Sequence, residues 1–265
     1  MSSASRLETL TRAGFAARGI MYGLIGYLAL KSGRTEDGAG VLEYLAGGSG
    51  RLLVGLMALG FFGYALWRFS EALADTEGHG SGAKGMVVRA GGVVSGLVHL
   101  GLGIFAAALA SGSGGGGGGS GGSSREGAAT ALSLPGGETL LILVAAALAA
   151  TGLYQLIKAA KGDFLRYLDP QAARREWVCW LGRGGYAARG VVFLVMAWFL
   201  FEAGRESSAA EAAGMGEALG SLPPTLQLLV AAGLFLFGLF SFVEARHRRI
   251  NDPRVLERLG AKART

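Results

Sequence analysis

Seven residues place ionisable or hydrogen-bonding groups within or beside long apolar runs, and any chemistry this chain performs starts from them: Arg18, Glu71, Ser95, His99, Lys158, Arg189 and Glu244. An arginine and a glutamate held in hydrocarbon can pair and lock two helices together, or they can line a charged ring facing an axial pathway. A histidine near mid-membrane can relay a proton, or sit neutral and hydrogen-bond a neighbouring helix. No other chemistry is written in the chain. There is no nucleophile–base signature, no HExxH, no pair of intramembrane carboxylates and no cofactor motif. Cys179 is the single cysteine, which excludes an internal disulfide or a cysteine metal cluster. No catalytic, cofactor-binding or metal-ligating residue is therefore assigned, and the expectation is a protein that is not an enzyme and needs no cofactor.

Such groups must be positioned by membrane-crossing helices. The chain is 51% hydrophobic and 17% charged, with mean hydropathy +0.41, and its charges cluster between apolar runs. Six runs, at about 13–30, 52–73, 90–110, 139–157, 186–201 and 225–243, each approach the ~20 residues a helix needs to cross ~30 Å of hydrocarbon. The first could pass for a signal peptide, but its pattern recurs twice downstream, where no signal would be cleaved.

That recurrence organises the chain. RAGFAARGIMYG from Arg12 is echoed by RAGGVVSGLVHL from Arg89 and by RGGYAARGVVFL from Arg183. The second helix of each unit repeats as well: WRFSEA from Trp67, YQLIKA from Tyr154 and FSFVEA from Phe240. The units are read as hairpins over 12–77, 89–165 and 183–249, with a glycine-rich loop at 111–124 and a basic tail at 250–265. The fold expected is all-α: a polytopic membrane protein whose six helices form three parallel hairpin repeats, in a pseudo-threefold bundle. The glycine tract reads as a flexible linker, since it lacks the Lys-Ser/Thr and following helix of a phosphate-binding loop.

With the motifs AARGIMY at Ala16–Tyr22, VVSGLVH at Val93–His99 and AARGVVF at Ala187–Phe193, the chain resembles the bacterial integral membrane proteins of the "domain of unknown function 1206" family. The resemblance runs from Arg12 to Ala245 and implies three tandem two-helix repeats. It brings no reaction and no ligand with it.

Within the repeats, Arg18 and Arg189 stand about 9 Å along the helix from the arginine that opens each unit. Glu71 and Glu244 sit at a similar level on the partner helices. In the middle unit the matching residues are Ser95 and Lys158, so the arginine and the acid are lost together. An ion pair inside each outer hairpin, Arg18–Glu71 and Arg189–Glu244, would produce that pattern. The alternatives are a charged ring around an axial pathway and snorkelling of Arg18 to the interface. His99 lies about 15 Å beyond Arg89, near the bilayer midplane, with no second histidine close in sequence. Gly19, Gly23, Gly92, Gly96 and Gly190 are positions for close helix packing.

Of the 25 lysines and arginines, 20 fall on the side of the chain termini if all six runs cross, which places both termini in the cytoplasm of a bacterial cell and the protein in its cytoplasmic membrane. Trp67, Trp177 and Trp180 are interfacial residues, and 171–182 could form a helix lying in the cytoplasmic interface or simply extend the aromatic belt. The partners expected are the bilayer and its anionic lipids, with no basic–aromatic interleaving to suggest nucleic acid. The function that follows is a non-enzymatic structural or interaction role; the alternative is a small channel or transporter for ions or small solutes along the pseudo-threefold axis.

Overall fold

The computed structural model describes residues 3–47, 49–75, 80, 82–113 and 122–248. Positions 114–121 of the glycine tract and the tail at 250–265 lie outside the described residues. Within them the chain is all-α: α1 (Ser3–Ser32), α2 (Gly38–Ala46), α3 (Arg51–Ala74), α4 (Ala83–Ser111), α5 (Gly122–Leu132), α6 (Gly137–Lys161), α7 (Pro170–Ala173), α8 (Glu176–Arg205), α9 (Met215–Gly220) and α10 (Pro224–His247). Six of these contain spans long and apolar enough to cross a bilayer: Thr11–Ser32, Arg51–Leu73, Val88–Ser111, Gly137–Lys161, Glu176–Arg205 and Pro224–His247. Each apolar run read from the sequence falls inside one of them, so the polytopic class stands.

Local chemistry sets several boundaries. Asp37 caps α2 by accepting from the Ala39 and Gly40 amides at 2.9 and 3.0 Å. Gly162 stops α6 in the left-handed region at φ +72°, where a side chain would be strained. Pro224 opens α10 in the first turn, where its missing N–H costs nothing. The short helices α2, α5 and α9 all lie at the end of the bundle remote from the termini, in segments read from sequence as short or glycine-rich loops. Arg125 of α5 and Glu217 of α9 join two of them by an ion pair at 2.5 Å.

Packing runs as a row: α4 on α3, α3 on α1, α1 on α10, α10 on α8, and α8 on α6. Among the described residues, α4 and α6, the two long helices of the middle hairpin, share no extensive packing. The hairpins therefore do not close into the expected pseudo-threefold bundle. The reason lies in where small residues let backbones approach. A Cβ at Gly238 of α10 would stand 2.5 Å from the Gly23 nitrogen, and one at Gly60 of α3 would stand 2.8 Å from the Ala13 carbonyl, so α1 is tightly seated on both sides. Gly92 and Gly96 of α4 face Ala72 and Phe69 of α3, while Gly190 of α8 lies against Gly152 and Leu156 of α6. The glycines of the middle hairpin thus dock its two helices onto the first and third hairpins instead of onto each other. Gly19 packs as expected, against Phe242 and Gly238; a Cβ at Gly23 would meet open space, so Gly23 contributes only its backbone to the seam.

A second correction concerns 171–182. Pro170–Ala173 makes a single turn, and α8 begins at Glu176. Trp177 and Trp180 therefore belong to the first turns of a membrane-spanning helix, with 51% and 67% of their surface exposed, and no separate interfacial helix forms. Trp67, by contrast, is buried against Phe15 and Tyr64 and is not at an exposed interface.

The row predicts an asymmetric response to enlarging glycines. Gly238→Leu should lower stability in detergent by about 1–3 kcal/mol, the usual cost of overpacking. Gly101→Leu, at a position with open space around it, should leave thermal unfolding unchanged.

Candidate functional site

The residues singled out as charged or polar within the apolar runs do converge, but with different partners from those expected. Side chains lean toward the N-terminus of their own helix. Helix α1 leaves the basic end of the bundle and α10 returns to it, so Arg18 leans back toward that end while Glu244 leans inward, and the two meet. The Arg18 guanidinium donates to the Glu244 carboxylate, to the Tyr64 hydroxyl at 2.8 Å and to Ser241 Oγ at 3.2 Å. Ser241 in turn donates to the Phe237 carbonyl at 2.8 Å. The other oxygen of Glu244 accepts from Arg248 at 2.5 Å. Arg18, Glu244 and Arg248 are all buried, at 5%, 1% and 6% exposure, so each charge depends on its partners for solvation.

Aromatic faces complete the enclosure. The Arg18 guanidinium carbon lies 4.7 Å from the Phe15 ring centroid, 5.3 Å from Tyr64 and 5.0 Å from Phe237. Arg248 lies 5.0 Å from Phe15 and 4.9 Å from Trp67. Stacking on rings suits arginine, whose weakly hydrated planar cation keeps its in-plane donors free for the acceptors.

Both ion pairs proposed within hairpins are thereby corrected. Arg18 reaches from the first hairpin to the acid of the third, because α1 crosses α10 closely at Gly19 and Gly238. Glu71 is held by Arg68, one turn away on its own helix. Arg189 does not pair with Glu244; its guanidinium rests on Tyr22, Phe193 and Phe237 at 5.2, 5.0 and 4.5 Å. In the middle unit, Lys158 lies 4.5 Å from the Tyr186 ring centroid, and the Ser95 carbonyl meets His99 Nδ1 at 2.8 Å. A carbonyl can only accept, so Nδ1 carries the proton. His99 lies against Tyr64, with ring centroids 4.3 Å apart, and its Nε2 is buried without a hydrogen-bond partner among the described residues.

Tyr64, Ser241 and Arg248 were not singled out from sequence. Ser241 had a signal: it stands three residues before Glu244, on the same helical face. Arg12, which opens the first repeat, is also more than a topology marker. It donates to the carbonyls of Ala245 and Arg246 at 2.8 and 2.7 Å, satisfying the free C-terminal end of α10. Nearby, Asp169 caps α7 through the Ala172 amide at 2.8 Å and contacts His247 at 2.6 Å. The Ala172 N–H, and then His247, hold the Asp169 carboxyl below its ordinary range. Among the described residues, no three His, Cys, Asp or Glu side chains converge as a metal-ligand set.

The reassigned pairing predicts the outcome of a double-mutant cycle measured by unfolding in detergent. Arg18→Met alone should cost about 3 kcal/mol, since it leaves Glu244 buried with half its partners. Arg18 and Glu244 should couple by about 2 kcal/mol, whereas Arg18 and Glu71 should be additive within about 0.5 kcal/mol.

Comparison with known proteins gives the same three-unit division. The profile of the Domain of Unknown Function (DUF1206) family matches residues 13–75, 90–162 and 184–248. The chain is 27% identical over 257 residues to the uncharacterized protein YxxB of Bacillus subtilis (strain 168), covering 92% of each. No solved structure matches. With three tandem matches spanning most of its length, the chain belongs to the DUF1206 family.

Proposed function

We propose that this protein is a non-enzymatic scaffold of the bacterial cytoplasmic membrane, with both termini in the cytoplasm, whose work is interaction and not transport. The observation that carries this reading is the filled centre. The seam where the first and third hairpins meet is occupied by Phe61, Phe237 and Phe240, each with no exposed surface, and by the Arg18–Glu244 pair. A path for ions needs water-lined backbone or side chains at that depth. Here the polar groups satisfy one another behind aromatic rings.

The basic end supports the interaction role. Arg174, Arg175 and Arg183 are exposed beside the exposed Trp177 and Trp180, and the Arg183 guanidinium lies 5.9 Å from the Trp180 ring centroid. Tryptophan at the headgroup level with arginine next to it favours an anionic leaflet, at roughly 1 kcal/mol per basic residue near the surface. The excess of lysine and arginine on this side supports the orientation through the positive-inside rule.

Two measurements on the full chain in liposomes test the proposal together. Ion and small-solute flux should stay at the empty-vesicle background. Association with anionic lipid should weaken several-fold in an Arg174→Gln/Arg175→Gln/Arg183→Gln variant. Flux above background would replace the scaffold reading with that of a channel or transporter.

A further inference from the structure

Two arginines share one aromatic ring at the centre of the bundle, and only one of them has an anion. Arg18 and Arg189 place their guanidinium carbons 5.0 and 4.5 Å from the centroid of Phe237. Arg18 spends its donors on Glu244, Tyr64 and Ser241. Arg189 makes no hydrogen bond or ion pair among the described residues, and its Nε is buried without a partner. Tyr22, Phe193 and Phe237 hold the cation by its faces. Faces offer no acceptor to five N–H donors, and an uncompensated guanidinium in hydrocarbon is costly.

The repeat sharpens the contrast. Arg18 and Arg189 occupy the same position in AARGIMY and AARGVVF, yet the acid that the third hairpin carries, Glu244, is taken by the first hairpin's arginine and by Arg248. The acid that the first hairpin carries, Glu71, is held by Arg68. Arg189 is left with rings on one side. On the other, α8 and α4 share no extensive packing among the described residues. His99 of α4, whose Nε2 is also buried and unpartnered, lies within electrostatic reach of both Arg18 and Arg189. Cationic donors and a spare imidazole nitrogen with no anion between them form a receptor for an oxygen anion. Phosphate and carboxylate both fit the planar fork of arginine in a bidentate manner.

We propose that Arg189, seated on Tyr22, Phe193 and Phe237, anchors an intramembrane oxyanion site between α8 and α4 that takes a phosphate or carboxylate group, carried either on an amphiphile or free in the aqueous phase. By helix rise Arg189 stands about 9 Å inward of Arg183, a depth that the headgroup of a lipid drawn between helices can reach. The site rests on the membrane placement proposed above but not on the lipid-facing rim of Arg174, Arg175 and Arg183.

The test uses the full chain, stripped of lipid in a neutral detergent, with binding followed by native mass spectrometry and thermal unfolding. The probes are phosphatidylglycerol, phosphatidylcholine and inorganic phosphate. Phosphatidylglycerol or phosphate should bind at least tenfold more tightly than phosphatidylcholine. That preference should fall at least tenfold in Arg189→Gln, be partly retained in Arg189→Lys, and survive in the Arg174→Gln/Arg175→Gln/Arg183→Gln variant, which reports on the rim alone. Competition by phosphate would identify a free anion as the source, and its absence a lipid headgroup; both outcomes support the site. Without ligand, Arg189→Gln should unfold at or above the wild-type temperature, because that arginine has no partner to lose. Binding unchanged by Arg189→Gln, or no anion preference at all, would overturn the proposal. So would a ligand-free Arg189→Gln that unfolds as early as Arg18→Gln, because Arg189 would then serve stability alone.

Discussion

A guanidinium and a carboxylate cannot remain separate in hydrocarbon, and the meeting of Arg18 with Glu244 is the constraint on which the rest of this bundle depends. The pair joins residues far apart in sequence, the first helix to the last, and so ties the first repeat to the third. Tyr64 brings α3 into the same network through its hydroxyl, and Arg248 takes the second carboxylate oxygen from the far end of α10. Rings from Phe15, Trp67 and Phe237 then exclude competing solvent from the cations. Against hydrophobic isosteres such a network is not a strong source of stability, but its geometry permits one arrangement of α1 and α10 and penalises others. Specificity of pairing is its main contribution.

Glycine distribution does the remaining work. Tight contacts at Gly60, Gly26 and Gly238 seat α1 between α3 and α10, and Gly152 and Gly190 bring α6 onto α8. Lipid tails are as apolar as leucine, so helices in a membrane associate through close packing and polar bonds more than through burial. The middle repeat illustrates the consequence. Its helices keep the hairpin sequence pattern, yet each finds its closest backbone approach in a different neighbour, and the repeat is divided between the two halves. Repetition in sequence therefore sets the orientation of the hairpins without dictating their symmetry.

What could be read from the chain follows the same division between local and long-range physics. Six spans were legible because about 20 apolar residues have few other fates, and the three units were legible because AARG and the E/K-A endings recur at matched offsets. The joint loss of arginine and acid in the middle unit was a true signal of coupling. It was compatible with pairing inside a hairpin or between hairpins, and only the neighbour order of α1 and α10 decides. The helices α2, α5 and α9 escaped notice because they are short and lie in segments weighed only as connections. Trp177 and Trp180 were misplaced because an i, i+3 spacing describes the first turns of a spanning helix as well as it describes an interfacial one.

The central claim is that the first and third hairpins meet along an α1–α10 seam built around Arg18 and Glu244. The most direct measurement is intramolecular cysteine cross-linking of the full chain in lipid, in a Cys179→Ser background. Gly19 and Phe242 face each other so closely that a Cβ at Gly19 would stand 3.0 Å from the ring. The account predicts rapid, near-complete cross-linking of Gly19→Cys with Phe242→Cys. It predicts none between Ile104→Cys of α4 and Leu143→Cys of α6, two exposed positions at similar distances from the turn of the middle hairpin. Cross-linking of the α4–α6 pair with none across α1–α10 would contradict it.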